Sequence, residues 1–184
     1  MDDLIYGWGN MGWSSYQDYS EAIVACTKNT QGPVLECGTG LSTILMAIIA
    51  SDSGIEIHSL EHNAIWAEHV RKKLKSLGLN SVRVHQVELR SYGEFEWYNI
   101  SSVRLPKSFA LVICDGPPHD TRGGRIGLFP VLASHFAIGS VILLDDYSGE
   151  EEKLIVETWK RAYPITVVQK GTRDSYAHIV CISR

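Results

Sequence analysis

Five short apolar runs recur along the chain: Val34-Leu35-Glu36-Cys37, Ile55 to Leu60, Val82 to Val87, Phe109 to Cys114 and Val141 to Leu144. They mostly lack the clean alternation of a half-exposed strand, so each reads as a strand buried on both faces, the pattern of a parallel sheet covered by helices. The segments between them carry helical periodicity. From His62 to Leu77, the residues Trp66, Val70, Leu74 and Leu77 fall on one face, and Gly78 supplies a stop. From Ser148, a capping box with Glu151, acids in the first turn and the stripe Leu154, Ile155, Thr158, Trp159 and Ala162 predict a second helix. A third is expected over Tyr16 to Cys26. Strand and helix in repeated succession require right-handed crossovers, which makes the fold class α/β: a Rossmann-like, doubly wound sheet with helices on both faces. The tail departs from this rhythm. Ile165 to Gln169 and Ala177 to Ile182 are separated only by Lys170 to Tyr176, too few residues for a crossover helix, so an antiparallel C-terminal hairpin is expected in a sheet of seven strands, five of them parallel. Residues 90–107, with Trp97-Tyr98 and Pro106, read as a loop or short helix over the sheet edge.

A chain of 184 residues without repeats or a linker is expected to form one domain, with residues 33–184 as the ligand-binding core. Residues 1–32 are an aromatic-rich segment in which Tyr6, Trp8, Trp13 and Tyr16 stand beside Gly7, Gly9 and Gly12. Such a segment is either a lid that brings Trp13 to the substrate or an anchor against the core. The net charge of -4, from 17 basic and 21 acidic side chains, gives no long-range attraction for nucleic acid or anionic membrane. The basic cluster Arg71 to Lys75 fits the solvated face of a helix. Met1-Asp2-Asp3 lacks the positive start of a signal peptide, and the longest apolar run, Ile44 to Ala50, is too short to span a bilayer. The four cysteines have no CxxC or zinc-finger spacing and read as reduced thiols, including Cys37 and Cys114 at the ends of neighbouring strands. A cytoplasmic location is the expectation.

Ligands of open α/β sheets bind outside the carboxyl ends of the strands. Those ends carry Glu36, Glu61, Glu88, Asp115 and the pair Asp145-Asp146. The first loop, Glu36-Cys37-Gly38-Thr39-Gly40-Leu41-Ser42-Thr43, has two glycines that permit a tight turn and a close ligand, while Thr43 takes the third dinucleotide-type position. A carboxylate just before these glycines suits an ammonium group better than a pyrophosphate. Glu61 lies 21 residues beyond Gly40, where an acid can accept from a ribose diol, a contact required by nicotinamide cofactors and S-adenosylmethionine alike. Glu88 is placed to accept from an adenine amino group.

The segments Val34 to Thr43, Ser59-Leu60-Glu61-His62-Asn63 with Trp66, Cys114-Asp115-Gly116-Pro117-Pro118 and Leu143-Leu144-Asp145-Asp146 resemble, in order, the motifs of class I S-adenosylmethionine-dependent methyltransferases. The similarity runs from Pro33 to Arg184 and is closest to the small, single-domain O-methyltransferase-like branch. It implies methyl transfer (EC 2.1.1 type) to an oxygen or nitrogen nucleophile of a small molecule. Glu36, Cys37, Gly38, Thr39, Gly40 and Ser42 would surround the methionine part, Glu61 and His62 the ribose and Glu88 the adenine. Asp115 would lie near the methyl group.

Asp115, Asp145 and Asp146, on neighbouring strands, form an oxygen-only set suited to Mg or Ca. Metal-dependent relatives of the catechol type have an Asp-Asn pair where this chain has Asp145-Asp146, and a lysine where it has Pro118. His119 is the available general base on the acceptor loop, and Arg122 and Arg125 are candidates to clamp an acidic substrate. Two other readings stay open: a nonenzymatic S-adenosylmethionine-binding module and a nicotinamide-dependent oxidoreductase. A nucleic-acid methylase is disfavoured, because His119 stands where an aromatic would stack on a flipped base.

Overall fold

The computed structural model describes residues 17–173 and 175–183. In chain order they form α1 (Gln17–Asn29), β1 (Val34–Cys37), α2 (Leu41–Ser53), β2 (Ile57–Glu61), α3 (Ala64–Ser76), β3 (Val82–Gln86), β4 (Leu89–Ser91) and β5 (Glu96–Tyr98). These are followed by β6 (Phe109–Cys114), α4 (Leu128–Leu132), β7 (Phe136–Leu144), α5 (Glu150–Ala162), β8 (Ile165–Lys170) and β9 (Tyr176–Cys181). The seven-stranded sheet has the order β3-β2-β1-β6-β7-β9-β8. The order reverses between β1 and β6, which places the ligand-binding crevice of such a sheet beside the loops after these two strands.

The expected C-terminal hairpin is present, with Ile165 opposite Cys181 and Lys170 opposite Tyr176. Its second strand, β9, inserts beside β7 in antiparallel sense and leaves β8 at the edge. Consequently β8 runs with the parallel set, and six strands rather than five share one direction. Burial explains the order: β9 carries Ala177, Ile179 and Cys181 into the core, whereas Thr166, Val168, Gln169 and Lys170 of β8 are exposed.

The residues expected as a loop or short helix instead form the β4–β5 hairpin and a 3-10 turn at Ile100–Ser102. Trp97 and Tyr98 are fully buried and fasten this hairpin over one sheet face. Gly127 makes room for it, since a Cβ there would lie 2.7 Å from the Trp97 ring.

Helix starts follow side-chain capping where it exists. Asn63 accepts from the amides of Ile65 and Trp66, both at 3.0 Å, so α3 begins at Ala64. The Ser148–Glu151 capping box does not form: α5 begins after Gly149, which offers no side-chain cap, and the acids of its first turn alone favour the helix dipole.

Alternate residues of each strand feed opposite layers. Leu35, Leu60, Val112 and Leu144 pack with Trp97, Phe129 and Trp159 on one face. Val34, Ile57, Leu111, Ile113 and Leu143 pack with Met46, Tyr19 and Ile23 on the other. Cys37 and Cys114 are directly paired in the β1–β6 register, and both thiols are free. Among the described residues no helix is long and apolar enough to cross a membrane.

Candidate active site

The loops after β1 and β6 meet backbone to backbone. The Cys37 carbonyl accepts from the amides of Asp115 at 3.1 Å and Gly116 at 2.7 Å, and Gly38 donates to the Leu60 carbonyl at 2.9 Å. Gly38 has φ +85, and a Cβ on it would lie 3.0 Å from the Gly116 nitrogen, so both conformation and space require glycine. A Cβ on Gly40 would meet nothing within 4 Å; the loop opens there onto free space. Beneath it, the Tyr98 hydroxyl is buried without a hydrogen-bond partner and would lie 2.6 Å from a Cβ on Gly116.

Glu36 turns inward. It has no exposed surface and accepts from the hydroxyls of Ser42 at 2.6 Å, Thr43 at 2.7 Å and Ser59 at 2.6 Å. The carboxylate braces the loop from below, because Ser59 lies opposite it in the β1–β2 register. Burial raises its pKa to about 7 despite the three hydroxyl donors. Thr43 also accepts from the Gly40 amide at 2.9 Å, which explains why the third dinucleotide-type position is not glycine. Its hydroxyl links the loop to Glu36.

Glu61 lies at the rim. One oxygen accepts from the Thr39 amide at 3.0 Å and the Thr39 hydroxyl at 2.8 Å; the other accepts from the Asn63 amide at 2.8 Å and lies 3.3 Å from His62 Nδ1. Burial pushes its carboxyl up, but the donors from His62, Asn63 and Thr39 bring it below the ordinary range, so it is ionised at neutral pH. The Trp66 indole donates to the Thr39 carbonyl at 2.7 Å, holding the loop from its other side. Cys37 is buried below the loop. Glu88 is exposed after β3, and its carbonyl accepts from the Asn99 amide at 2.9 Å, which ties the β4–β5 hairpin to this edge.

At the ends of β6 and β7, Asp115, Asp145 and Asp146 bring ligand-type oxygens within 4.8 Å of one another. Asp146 has φ 58, the one positive φ outside glycine among the described residues. Asp145 is the member pushed furthest toward its protonated form, by burial and by the charges of Asp115 and Asp146; burial raises Asp115 as well, against the opposing pull of Arg125.

Arg125 fills the middle of this group. Its Nη2 lies 2.9 Å from an Asp146 oxygen, 3.4 Å from an Asp115 oxygen and 2.9 Å from the Asp115 carbonyl, while Nη1 donates to the Asp145 carbonyl at 3.1 Å. Glu152 stands 3.6 Å from Nη1. At 4% exposure, and bonded to the acids and carbonyls around it, Arg125 is not free to clamp an acidic substrate as expected. The three acids have the oxygen chemistry for Mg or Ca, but a guanidinium is already paired with two of their carboxylates and bonded to the carbonyl of the third, so the set does not fit a metal as it stands. His119 is exposed on the loop after Pro118, and Arg122 is paired with Glu96 and Ser91 away from the cluster. Tyr6, Trp8, Trp13 and Tyr16 lie outside the described residues.

Sequence reasoning missed Ser59 and Thr43 as partners of Glu36, and Arg125 as the partner of the acids. A signal existed for the last: so many carboxylates at two adjacent strand ends require a nearby cation.

The methyltransferase-domain family matches residues 35–147, more than half of the chain and the span from the glycine loop to the β7 end. The chain belongs to this family. Its sheet is that of the class I, S-adenosylmethionine-dependent methyltransferases, O-methyltransferase-like in its neighbours. The O-methyltransferase TomG from Streptomyces achromogenes, solved with SAM, is 16% identical with a TM-score of 0.72, over 98% of this chain and 86% of that one. The O-methyltransferase from Bacillus cereus, solved with SAH, is 17% identical with a TM-score of 0.69, over 98% and 89%. The methyltransferase PaMTH1 from Podospora anserina, bound to SAH, is 14% identical with a TM-score of 0.64, over 98% and 94%. A search of curated protein sequences finds no match.

Proposed function

We propose that this methyltransferase transfers the methyl group of S-adenosylmethionine to an oxygen or nitrogen nucleophile of a small-molecule acceptor. The observation that carries the reading is Glu61: an ionised carboxylate at the end of β2, with one oxygen on Thr39 of a glycine loop that opens onto free space and the other on the Asn63 amide. Such a group holds a ribose diol by exchanging its present donors, the Thr39 hydroxyl among them, for the two sugar hydroxyls. The backbone of Gly38, Thr39 and Gly40 is the surface for the methionine part, with Ser42, Cys37 and Glu36 bracing it from below. His62 flanks the ribose acid, and Glu88 offers an acceptor to the adenine amino group.

The bound sulfonium supplies an activated methyl carbon: the nucleophile forms its bond to that carbon as the carbon–sulfur bond breaks, and the thioether departs with the electron pair. What the chain contributes is alignment, which supplies much of the gain in such displacements. Asp115, held at the switch point by Arg125 and by the Cys37 carbonyl, orients the acceptor. His119, exposed on the acceptor loop, receives the proton that the acceptor loses, the role of a general base. No step is assigned to a metal ion. A small acceptor agrees with the net charge of -4, which does not favour a polyanion.

Calorimetric titration with S-adenosylhomocysteine and, separately, with NAD tests the reading. Saturable binding of the first and none of the second is expected. Binding of NAD alone would transfer the site to the oxidoreductases. Saturable S-adenosylhomocysteine binding without turnover on any of a panel of catechols, phenols, carboxylates and amines would leave a binding module.

A further inference from the structure

The acidic group at the β6 and β7 ends has the size of a cation site, because oxygens that lie within 4.8 Å of one another can reach a single ion at the about 2.0–2.6 Å of Mg or Ca coordination. We propose that the Arg125 guanidinium is the resident cation of this group, holding the place that a divalent metal would take, so that the site is metal-independent and becomes a divalent-cation site only when Arg125 is truncated.

Geometry sets the two occupants in competition. Nη2 lies 2.9 Å from an Asp146 oxygen and 3.4 Å from an Asp115 oxygen, so an ion bonded to both would share its ligands with a guanidinium of like charge. The guanidinium cannot deprotonate to make way. Nor is it free to swing out. Arg125 is 4% exposed, donates to the carbonyls of Asp115 and Asp145, and is backed by Glu152 at 3.6 Å. Its Nε is buried without a hydrogen-bond partner, so its hydrogen bonds run through Nη1 and Nη2 to the two strand ends. The chain turns it inward through Gly123 and Gly124, at φ +80 and +51, where a Cβ on Gly123 would lie 2.6 Å from that of Phe95. By bonding both carbonyls, Arg125 also joins the loops that follow β6 and β7, as a shared metal would. It is a positioning residue for Asp115.

Binding of Mn2+ to the full chain, read by electron paramagnetic resonance of the free ion, tests this without cofactor or acceptor. A failure to bind S-adenosylhomocysteine would therefore count against the proposed function and leave this inference standing. Wild-type protein should take up no Mn2+ saturably to about 1 mM, the weak end of biological divalent sites. Chelator should leave its thermal midpoint unchanged. Arg125→Met should bind one equivalent, and Asp115→Asn in the same background should abolish that binding. Arg125→Lys, which keeps the charge, should exclude the ion as the wild type does. If Arg125→Met folds only with Mn2+ present, the proposal stands; if it does not fold even then, or folds and binds none, the proposal falls. Saturable wild-type binding that is lost in Asp115→Asn overturns it, as does an Arg125→Lys variant that binds Mn2+ as well as Arg125→Met.

Discussion

At the β1–β2 side of the crevice, the carboxylates of Glu36 and Glu61 are satisfied mainly by hydroxyls and backbone amides from residues close by. At the β6–β7 side, Asp115, Asp145, Asp146 and Glu152 gather round one guanidinium. The two sides bury acids by different means, and the means decide what each can do. Neutral donors are interchangeable with the hydroxyls of a ligand, so Glu61 can release Thr39 and accept a sugar at little net cost. A charge cluster with a single cation has no such exchange available: remove the cation and several acids lose their compensation together.

The largest effect expected from this contrast is on stability. Arg125→Met should lower the unfolding free energy by about 3–5 kcal/mol in chemical denaturation, because it removes the cation beside the buried Asp145 and Glu152 and the partly buried Asp115. A loss below about 1 kcal/mol would mean that the cluster behaves as a solvated surface pair and that the contrast is false.

The next largest is a pH effect of Glu36, on the other side. The folded pKa of Glu36, about 7, lies above the ordinary glutamate value of 4.5, so the native chain keeps a proton that the unfolded chain has released. Its contribution is fully present below pH 4.5 and is lost as pH rises through 7, on the order of 3.5 kcal/mol at about 1.4 kcal/mol per pKa unit. Glu36→Gln should flatten this fall in a series of denaturation curves. His85 works in the opposite sense, since burial and the neighbouring His58, Arg83 and Arg71 lower its pKa from 6.5 to about 4. Its contribution is present above pH 6.5 and lost as pH falls through 4. Relative to the wild type, the Gln variant should lose less stability as pH rises from 4.5 to 7; an unchanged falling slope would show that Glu36 is not the source.

Smaller, and sharper, is a division of labour between the sides. Glu61→Ala should weaken S-adenosylhomocysteine binding by about 2 kcal/mol, some 30-fold, through loss of a charge-assisted contact. Asp115→Ala should leave that affinity within about twofold and lower turnover on a validated acceptor by at least about tenfold. Calorimetry and a turnover assay on both variants check it. Equal losses of binding in the two would erase the distinction, and wild-type turnover in Asp115→Ala would place the chemistry elsewhere.

The legible part of the fold was what local patterning encodes. Runs such as Phe109 to Cys114 are strands because an uninterrupted apolar stretch must be covered on both faces, and the acids at their ends collect at one edge because parallel strands all end on the same side. Glycine spacing marked the tight loop at Gly38 for the same local reason. The direction of a side chain was harder to read. Glu36 looks like a ligand in the linear motif, but strand register sets Ser59 opposite it, and that pairing turns the carboxylate into the protein.

What the sequence determined by itself was the α/β alternation, the hairpin at the tail and the set of strand-end acids, all properties of spacing within one element or between neighbours. Only the tertiary structure decided that β9 lies inside β8, that residues 89–98 form a hairpin anchored by Trp97 and Tyr98, and that Arg125 occupies the acidic cluster. The reason is physical. Periodicity reports which face of a segment avoids water, whereas the partner a charged or polar group meets after burial is set by contacts across 10 to 22 residues, such as Arg125 with Asp115 and Asp146 or Thr39 with Glu61. No local pattern encodes that choice. It is made when buried charges are forced to find whichever compensating group the packed chain brings within reach.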